Sequence, residues 1–449
     1  MIAAANPTRA WRLTWIALLT AWSAFTFAQT VESENWNAKF QSTYVWQRKN
    51  GFPAAYSGAH SLSAQREKSY SFTATAAFGY RPWQGGELYF NPEVAQGIPL
   101  SGLSGLGGFT NGEIARTAGS NPTFYRARLF LRQSWGDAGS NAEKAEKVDS
   151  DANQLGGFVN KRRWVLTAGN LSVIDIFDDN DYSHDPRTQF LNWSIMTHGA
   201  FDYAADARGY SWGMALERYH DDWVLRAARF IQPREPNKLS LDPAIGKHYG
   251  DQIEIEHKHA IAGQTGKLRV LAFRNVAKMS NFDDAIRLGL LTATTPDINA
   301  VRTREQAKVG MGINLEQALT PDVGLFARAS WADGKTETYA FTEIDRSVSG
   351  GLLVKGNAWG RGMDTVGVAL AQNGLSNARR NYLALGGLGF FIGDGRIRYR
   401  AENIFEVFYN LRIVKNAWLS LDYQHIRNPA YNADRGPVNV VSMRLHTEF

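Results

Sequence analysis

Apolar and polar side chains alternate along most of this chain, in segments of about ten residues separated by turn-rich stretches. This period of two is typical of β-strands, and its repetition in tandem segments is the signature of a transmembrane antiparallel β-barrel. We therefore predict an all-β fold with about 16 strands. The predicted strands are 36–47, 69–81, 86–94, 123–135, 162–170, 208–219, 222–231, 249–259, 267–276, 304–316, 323–333, 363–372, 382–392, 396–413, 417–427 and 437–449.

The connections between these strands alternate in length. The short ones are 81–85, 220–221, 260–266, 317–322 and 414–416. The long ones are 48–68, 95–122, 171–207, 277–303 and 334–362. Short periplasmic turns and long extracellular loops are typical of bacterial outer-membrane barrels. Segment 136–161 is long where a short turn is expected, and we predict a hydrophilic periplasmic loop there.

Arginines share one face of the predicted strand 123–135, opposite a face that carries Tyr125 and Leu129. An arginine that faces lipid near the bilayer midplane costs roughly 2–4 kcal/mol, so this face must contact water. Strand 396–413 repeats the pattern with arginines and glutamates. We predict that the lumen is lined by Arg126, Arg128, Arg132, Arg398, Arg400, Glu402 and Glu406.

The N-terminus has the features of a secretory signal peptide. A positively charged start precedes the apolar run Leu13–Phe27, and small residues flank Phe27 up to Ala28. The run is shorter than the ~20 residues of a membrane-spanning helix. We expect residues 1–28 to be removed on export and residues 29–449 to form the barrel domain.

Composition narrows the possible functions. The chain is 44% hydrophobic and 20% charged, which is too polar for a helical membrane protein. It has no cysteine, so disulfides, thiol nucleophiles and thiolate metal sites are excluded. The net charge of +6 comes from arginines spread along the alternating segments, and we expect no nucleic-acid partner and no cofactor.

The last predicted strand ends with the aromatic residue Phe449, and Val441, Met443 and Leu445 share one face with it. Many bacterial outer-membrane proteins finish with such a strand, and a soluble edge strand is the alternative. Aromatic residues near strand ends are expected to form the interfacial girdles of a barrel. The candidates are Trp83, Tyr89, Trp164, Trp212, Trp223, Trp331 and Trp418.

Three local patterns suggest other chemistry. Residues Gly209–Gly213 match the GxSxG nucleophile motif, but Ser211 lies in an alternating segment instead of at the strand-to-helix turn that the motif requires. The glycine-rich stretch 97–112 lacks the ending of a phosphate-binding loop and is expected to be an external loop. His257 and His259 share a strand face, where a polar rim is the more common explanation than a metal site.

An acidic segment is the richest candidate for a metal site. Its oxygen ligands would suit calcium, magnesium or manganese. It lacks the glycine and the final glutamate of an EF-hand, and a loop folded by Asx turns and pinned by Arg187 is the interpretation that we favour. The candidate ligands are Asp175, Asp178, Asp179, Asp181 and Asp185.

From Glu87 to its end, the chain resembles the bacterial carbohydrate-selective outer-membrane porin family. The segments that carry the resemblance are 86–93, 125–133, 153–157, 175–187, 190–193, 199–206 and 428–438. The resemblance implies a sixteen-stranded barrel whose constriction is lined by arginines, glutamates and aromatic residues. The same segments resemble a branch of that family described as manganese porins.

Together these observations predict a passive outer-membrane channel for small polar solutes. Arginines favour carbohydrates over Mn²⁺, whereas the acidic loop would favour Mn²⁺ if it folded into the mouth of the pore. A barrel-based hydrolase is the alternative from another class, but the chain shows no constellation of catalytic residues at one rim. We expect outer-membrane lipid around the protein and either a monomer or a homotrimer.

Overall fold

The computed structural model of this chain describes residues 33–114, 119–137 and 145–449. The predicted signal peptide lies outside the described residues. Sixteen antiparallel strands form a closed barrel, in which the first strand pairs with both the second and the last. Within the described part of the chain, no helix is long and apolar enough to cross a membrane.

The strands are β1 Trp36–Lys49, β2 Glu67–Trp83, β3 Gly86–Ile98, β4 Thr123–Gly136, β5 Ala145–Val148, β6 Gly157–Asn160, β7 Arg163–Leu171, β8 Ser211–His220, β9 Trp223–Ile231, β10 Tyr249–Ile261, β11 Gln264–Lys278, β12 Glu305–Thr320, β13 Val323–Ala332, β14 Arg346–Gly356, β15 Arg361–Gly374, β16 Glu402–Val414, β17 Ala417–Arg427 and β18 Val438–Glu448. The α-helices are α1 Trp193–Met196, α2 Phe282–Thr292 and α3 Asn377–Ala384. Short 3-10 helices span Leu100–Leu103, Val173–Asp175, Ile298–Val301, Asn357–Trp359 and Pro429–Tyr431.

The barrel and its strand number are confirmed, but one predicted strand is wrong. Segment 382–392 contains the end of α3 and a loop, and the missing strand is β14, inside the predicted long connection 334–362. β14 carries the Gly350–Gly351 pair, which interrupts its apolar alternation. Segment 382–392 is apolar because Phe391 and Ile392 are buried among the loops, where no period of two is required.

The two faces of the strands differ in polarity as a barrel in lipid requires. In β10, Ile253 and Ile255 are about half exposed on the outer face, whereas Glu254 and Glu256 are buried on the inner face. Five of the predicted girdle residues are exposed, namely Trp83, Trp164, Trp212, Trp223 and Trp331. Tyr89 is wrong as a girdle residue, because it is fully buried inside the barrel.

The described part of the connection between β4 and β7, residue 137 and residues 145–162, lies at the end of the barrel where the short turns are, as predicted, but it is not purely a hydrophilic loop. It contains the β5–β6 hairpin. Asn37 of β1 donates from Nδ2 to the Gln154 carbonyl at 2.9 Å, and the Leu155 amide donates to the Tyr89 hydroxyl at 3.1 Å. Leu155 is buried, so this connection packs into the barrel end.

At the opposite end, which we call the external end, long loops fold into the barrel. The connection 172–210 between β7 and β8 carries the largest share of buried side chains outside the strands. Phe177, Phe190 and Phe201 are each almost completely buried. Loop side chains and inward strand side chains therefore form two large hydrophobic clusters inside the barrel.

Candidate functional site

Asp178 ties the 172–210 loop to the barrel wall. Its Oδ1 accepts hydrogen bonds from Arg328 Nε of β13 at 2.8 Å and from Asn314 Nδ2 of β12 at 2.6 Å. Its Oδ2 accepts from Thr197 Oγ1 at 2.9 Å and from the His198 amide at 2.6 Å. Burial alone would raise the pKa of Asp178, but Arg328, His198 and these donors hold it well below its ordinary range.

Two glutamates of β16 hold other loop segments across the lumen. Glu402 accepts hydrogen bonds from the amides of Gly107 and Gly108 at 3.1 and 2.8 Å. Glu406 accepts from the amides of Leu191 and Asn192 at 2.5 and 3.0 Å. Both carboxylates point inward, as their position in the strand pattern predicted. Each binds loop backbone, so their observed role is to position the loops that narrow the pore.

The narrowed lumen contains a cavity of about 340 Å³ between these loops and the wall. A second cavity, of about 600 Å³, lies towards the end with the short turns and is lined in part by residues 150–153. Arg128, Asp185 and Arg187 line both cavities. We call these three residues the constriction, because they stand where the external cavity meets the inner one.

Charges at the constriction are paired. Arg128 of β4 binds Asp175 through two hydrogen bonds, Nε to Oδ2 at 2.8 Å and Nη2 to Oδ1 at 2.6 Å. Arg187 Nε donates to Glu113 Oε1 at 2.9 Å. Burial raises the pKa of Glu113, and Arg187 offsets only part of that effect. Three arginines and three carboxylates line the external cavity, so it is formally balanced in charge.

Aromatic rings form another part of the same cavity. The Arg128 guanidinium lies 5.3 Å from the centroid of the Tyr210 ring, which lines the cavity. The Arg208 guanidinium lies 4.3 Å from the ring centroid of Tyr125, which is behind this lining. Trp193 and Tyr203 stack with their centroids 6.3 Å apart. Paired charged side chains and flat aromatic rings therefore line the same water-accessible cavity.

The residues predicted to line the pore on β4 are placed differently from one another. Arg128 lies at the constriction, and Arg132 lies inside the barrel, where it donates to the Asn153 carbonyl at 3.0 Å. Arg126 is on the outer face, 5.1 Å from the ring of the exposed Trp212, so its prediction as a lumen residue is wrong.

A β-bulge separates Arg126 from Arg128. On β3, Asn91 pairs with Arg128 and the next residue, Pro92, pairs with Arg126, so Ala127 is an extra residue in β4. Proline has no N–H to donate to the strand ladder, which makes this a natural place for a bulge. The extra residue reverses the in–out alternation, and the period of two is no longer valid across it.

Arg398 and Arg400 do not lie on a strand, because β16 begins at Glu402. Both side chains are exposed in the external loop 375–401. Arg398 Nε donates to Asp434 Oδ1 at 2.6 Å. Their prediction as lumen-facing strand residues is therefore wrong, since the strand pattern was extended into a loop.

The five candidate metal ligands do not converge on one point. Each carboxylate has its own partner, and the pairs are Asp175 with Arg128, Asp178 with Arg328, Asp179 with Arg269, Asp181 with Lys267, and Asp185 with the Arg187 amide. Within residues 33–114, 119–137 and 145–449, no group of three or more His, Asp and Glu side chains is arranged to hold a metal ion. The described geometry thus agrees with the pinned loop, which the sequence favoured, and does not bring a set of metal ligands together.

The other local motifs also lack the geometry of a catalytic site. Ser211 begins β8 and donates from Oγ to the Ile231 carbonyl at 2.6 Å, with no helix after it. The rings of His257 and His259 stack 6.2 Å apart on β10. Neither motif therefore forms the strand-to-helix turn or the ligand cluster that its chemistry needs.

Strand periodicity missed most of the loop residues at the site, including Glu113, Trp193, Arg208 and Tyr210. Glu113 lies in the loop between β3 and β4, whereas the other three lie in the 172–210 loop, and no period of two relates these loop residues to one another. The only sequence signal for some of them was the family resemblance, which covered Trp193 in segment 190–193.

The model of the carbohydrate-selective porin, OprB family, matches residues 37–449 of the chain. The chain belongs to this family. The match begins one residue inside β1, continues through β18 and includes the loops that build the constriction. It follows that this OprB-family chain is an integral outer-membrane channel, surrounded by lipid, through which small solutes pass.

Solved structures support the fold of this OprB-family porin. The high-pH structure of OprB from Pseudomonas putida is 14% identical, with a TM-score of 0.71 over 92% of this chain and 94% of that one. The outer-membrane channel DcaP of Acinetobacter baumannii is 11% identical, with a TM-score of 0.53 over 94% of this chain and 99% of that one. At these identities the likeness shows the fold alone. No curated protein matches the sequence.

Proposed function

We propose that this porin passes small neutral carbohydrates by passive diffusion. The observation that carries the proposal is the external cavity, where balanced arginine–carboxylate pairs and aromatic rings line one space of about 340 Å³. This volume lies within the usual range of small-molecule sites, about 300–1,000 Å³. The match to a carbohydrate-selective family agrees with this assignment.

The lining suits a polyhydroxylated solute. The guanidinium groups of Arg128 and Arg187 donate hydrogen bonds, and the carboxylates of Asp175 and Asp185 accept them. Sugar hydroxyls can exchange such bonds for their bonds with water at little net cost. The Tyr210 ring offers flat apolar surface to the C–H face of a pyranose. Binding of this kind is weak enough for release to the other side, as a diffusion channel requires.

The pairing of charges changes the reason for preferring sugars. An unpaired cluster of arginines was expected to repel Mn²⁺, but Arg128 is neutralised by Asp175 and Arg187 by Glu113. Hydrogen bonding and shape, instead of net charge, are therefore the basis of selection. The carboxylates of the acidic loop pair with lysine and arginine side chains of the barrel wall, so no observation favours a manganese channel.

Liposome transport tests the proposal. Purified porin should admit a neutral monosaccharide such as glucose, and glucose should reduce its single-channel current in a saturable way. Arg128→Ala should weaken that block, while Arg126→Ala, which removes the same charge from the outer face, should leave it unchanged. The carbohydrate assignment would be overturned if the unmodified porin admitted Mn²⁺ selectively and the variant with Asp179 and Asp181 both changed to asparagine did not.

A further inference from the structure

The outer face of the barrel carries a groove near the external ends of β13, β14 and β15. Two cross-strand rows define it. Met311, Trp331, Arg346 and Gly374 pair in the first row, and Ile313, Ala329, Val348 and Gln372 pair in the second. Met311, Ile313 and Val348 are at least half exposed, so these rows face away from the lumen.

The groove forms because small residues at its floor lie next to large aromatic residues at its sides. Gly374, Ala329 and Ala401 leave a floor without large side chains, and Trp331 and Tyr399 stand beside it. The enclosed volume is about 450 Å³. The exposed apolar side chains at the groove belong to the surface that the barrel presents to lipid chains.

Two guanidinium groups stand at this groove. The Arg346 side chain is exposed beside Trp331, and within the described residues it has no hydrogen bond or ion pair. Arg380 of α3 lies 3.7 Å from the Tyr399 ring centroid and donates to the Tyr399 hydroxyl at 3.0 Å. Neither arginine has a carboxylate partner among the described residues, unlike the paired arginines of the constriction.

We propose that this groove binds a lipid of the external leaflet whose phosphate groups give its headgroup a net negative charge. The acyl chain would lie against Met311, Ile313 and Val348, and the phosphate would lie between Arg346 and Arg380. A guanidinium at the lipid boundary is stabilised by an anionic headgroup, and arginine forks bind phosphate through paired hydrogen bonds. The apolar groove and the unpaired cations thus complement the two parts of one amphipathic ligand.

Native mass spectrometry of the folded porin in detergent tests the proposal. Bisphosphorylated lipid A should remain bound, whereas phosphatidylcholine, whose headgroup has no net charge, should not. Arg346→Ala should weaken lipid A binding at least tenfold. Arg287→Ala is the matched control, because Arg287 is an exposed arginine on the external helix α2 and is not among the residues that line the groove. This control should bind lipid A as the unmodified porin does.

Heat-modifiable migration of each variant would establish that it is folded before binding is compared. Equal loss in the Arg346 and Arg287 variants would mean general charge attraction and would overturn the site. Competition by millimolar inorganic phosphate alone would show that the groove recognises free anion instead of lipid. If the unmodified porin retained no lipid but formed oligomers, and Arg346→Glu dissociated them, the groove would be a contact with a second copy of the chain and the lipid site would be overturned.

Discussion

Arg328 and Asp178 form a buried ion pair across the lumen, with Arg328 Nε 2.8 Å from Asp178 Oδ1. They are 150 positions apart in sequence, and their side chains are 2% and 0% exposed. The same guanidinium donates to the carbonyls of Ser183 and Ile195 at 2.6 and 3.0 Å. One strand side chain therefore fixes three points of the loop that narrows the pore.

Asp178→Ala should release this loop and destabilise the barrel interior. Removing one partner of a buried pair leaves the other charge without compensation, which costs about 3–5 kcal/mol. We expect a lower thermal unfolding temperature and a larger single-channel conductance. Asp434→Ala is the control, because Asp434 pairs with the exposed Arg398, and such pairs contribute about 0–1 kcal/mol. Equal effects in both variants would contradict the anchoring role.

Arg128→Ala should increase the share of cations in the ionic current. The change leaves Asp175 without its guanidinium partner, so the constriction gains net negative charge. Reversal potentials in a planar bilayer with a salt gradient measure the shift. Arg126→Ala should give the unmodified value, since Arg126 lies on the outer face beside Trp212. A shift of equal size in this second variant would place both arginines at the pore.

Acidification should weaken the loop anchor through His198. Burial lowers the pKa of this imidazole from 6.5 to about 4, with Arg328 acting in the same direction and Asp178 opposing it. The unfolded chain therefore binds the proton first as the pH falls. Stability is fully present above about pH 6.5 and declines towards pH 4, by roughly 3 kcal/mol at most.

Thermal unfolding measured between pH 4 and 7.5 tests this dependence. His198→Gln should flatten the profile between pH 4 and 6.5, because glutamine does not titrate there. His220→Gln is the control, since His220 is an exposed residue at the end of β8. A profile that His198→Gln leaves unchanged would assign the acid sensitivity to other groups.

Deletion of Phe449 should impair assembly more than conduction. Its amide donates to the Phe40 carbonyl at 2.8 Å and its carbonyl accepts from the Phe40 amide at 3.1 Å, which completes the β1–β18 seam. Unpaired backbone groups facing lipid are costly, so the seam must close. The yield of heat-modifiable protein should fall, while the single-channel conductance of the folded fraction stays the same. Phe390, an exposed loop aromatic, provides the deletion control.

Local alternation was enough to predict the barrel and most of its strands. In β10, Ile253 and Ile255 must face lipid and Glu254 must face the interior, so the alternation of apolar and polar residues shows directly which side of the strand contacts lipid and which faces the lumen. The family resemblance added the composition of the constriction. β14 escaped detection because Gly350 and Gly351 supply no side chain to either face.

The amino-acid sequence by itself determined most of the segments that cross the membrane, since each strand's two faces must suit lipid and lumen one residue at a time. The tertiary structure alone decided which side chains meet at the constriction. Pro92 and the bulge at Ala127 turned Arg126 outward while Arg128 stayed inside. The 172–210 loop brought Arg187 to the same place through contacts with strands that are distant in sequence. Such contacts have no period, because they depend on how a closed barrel brings separate loops together.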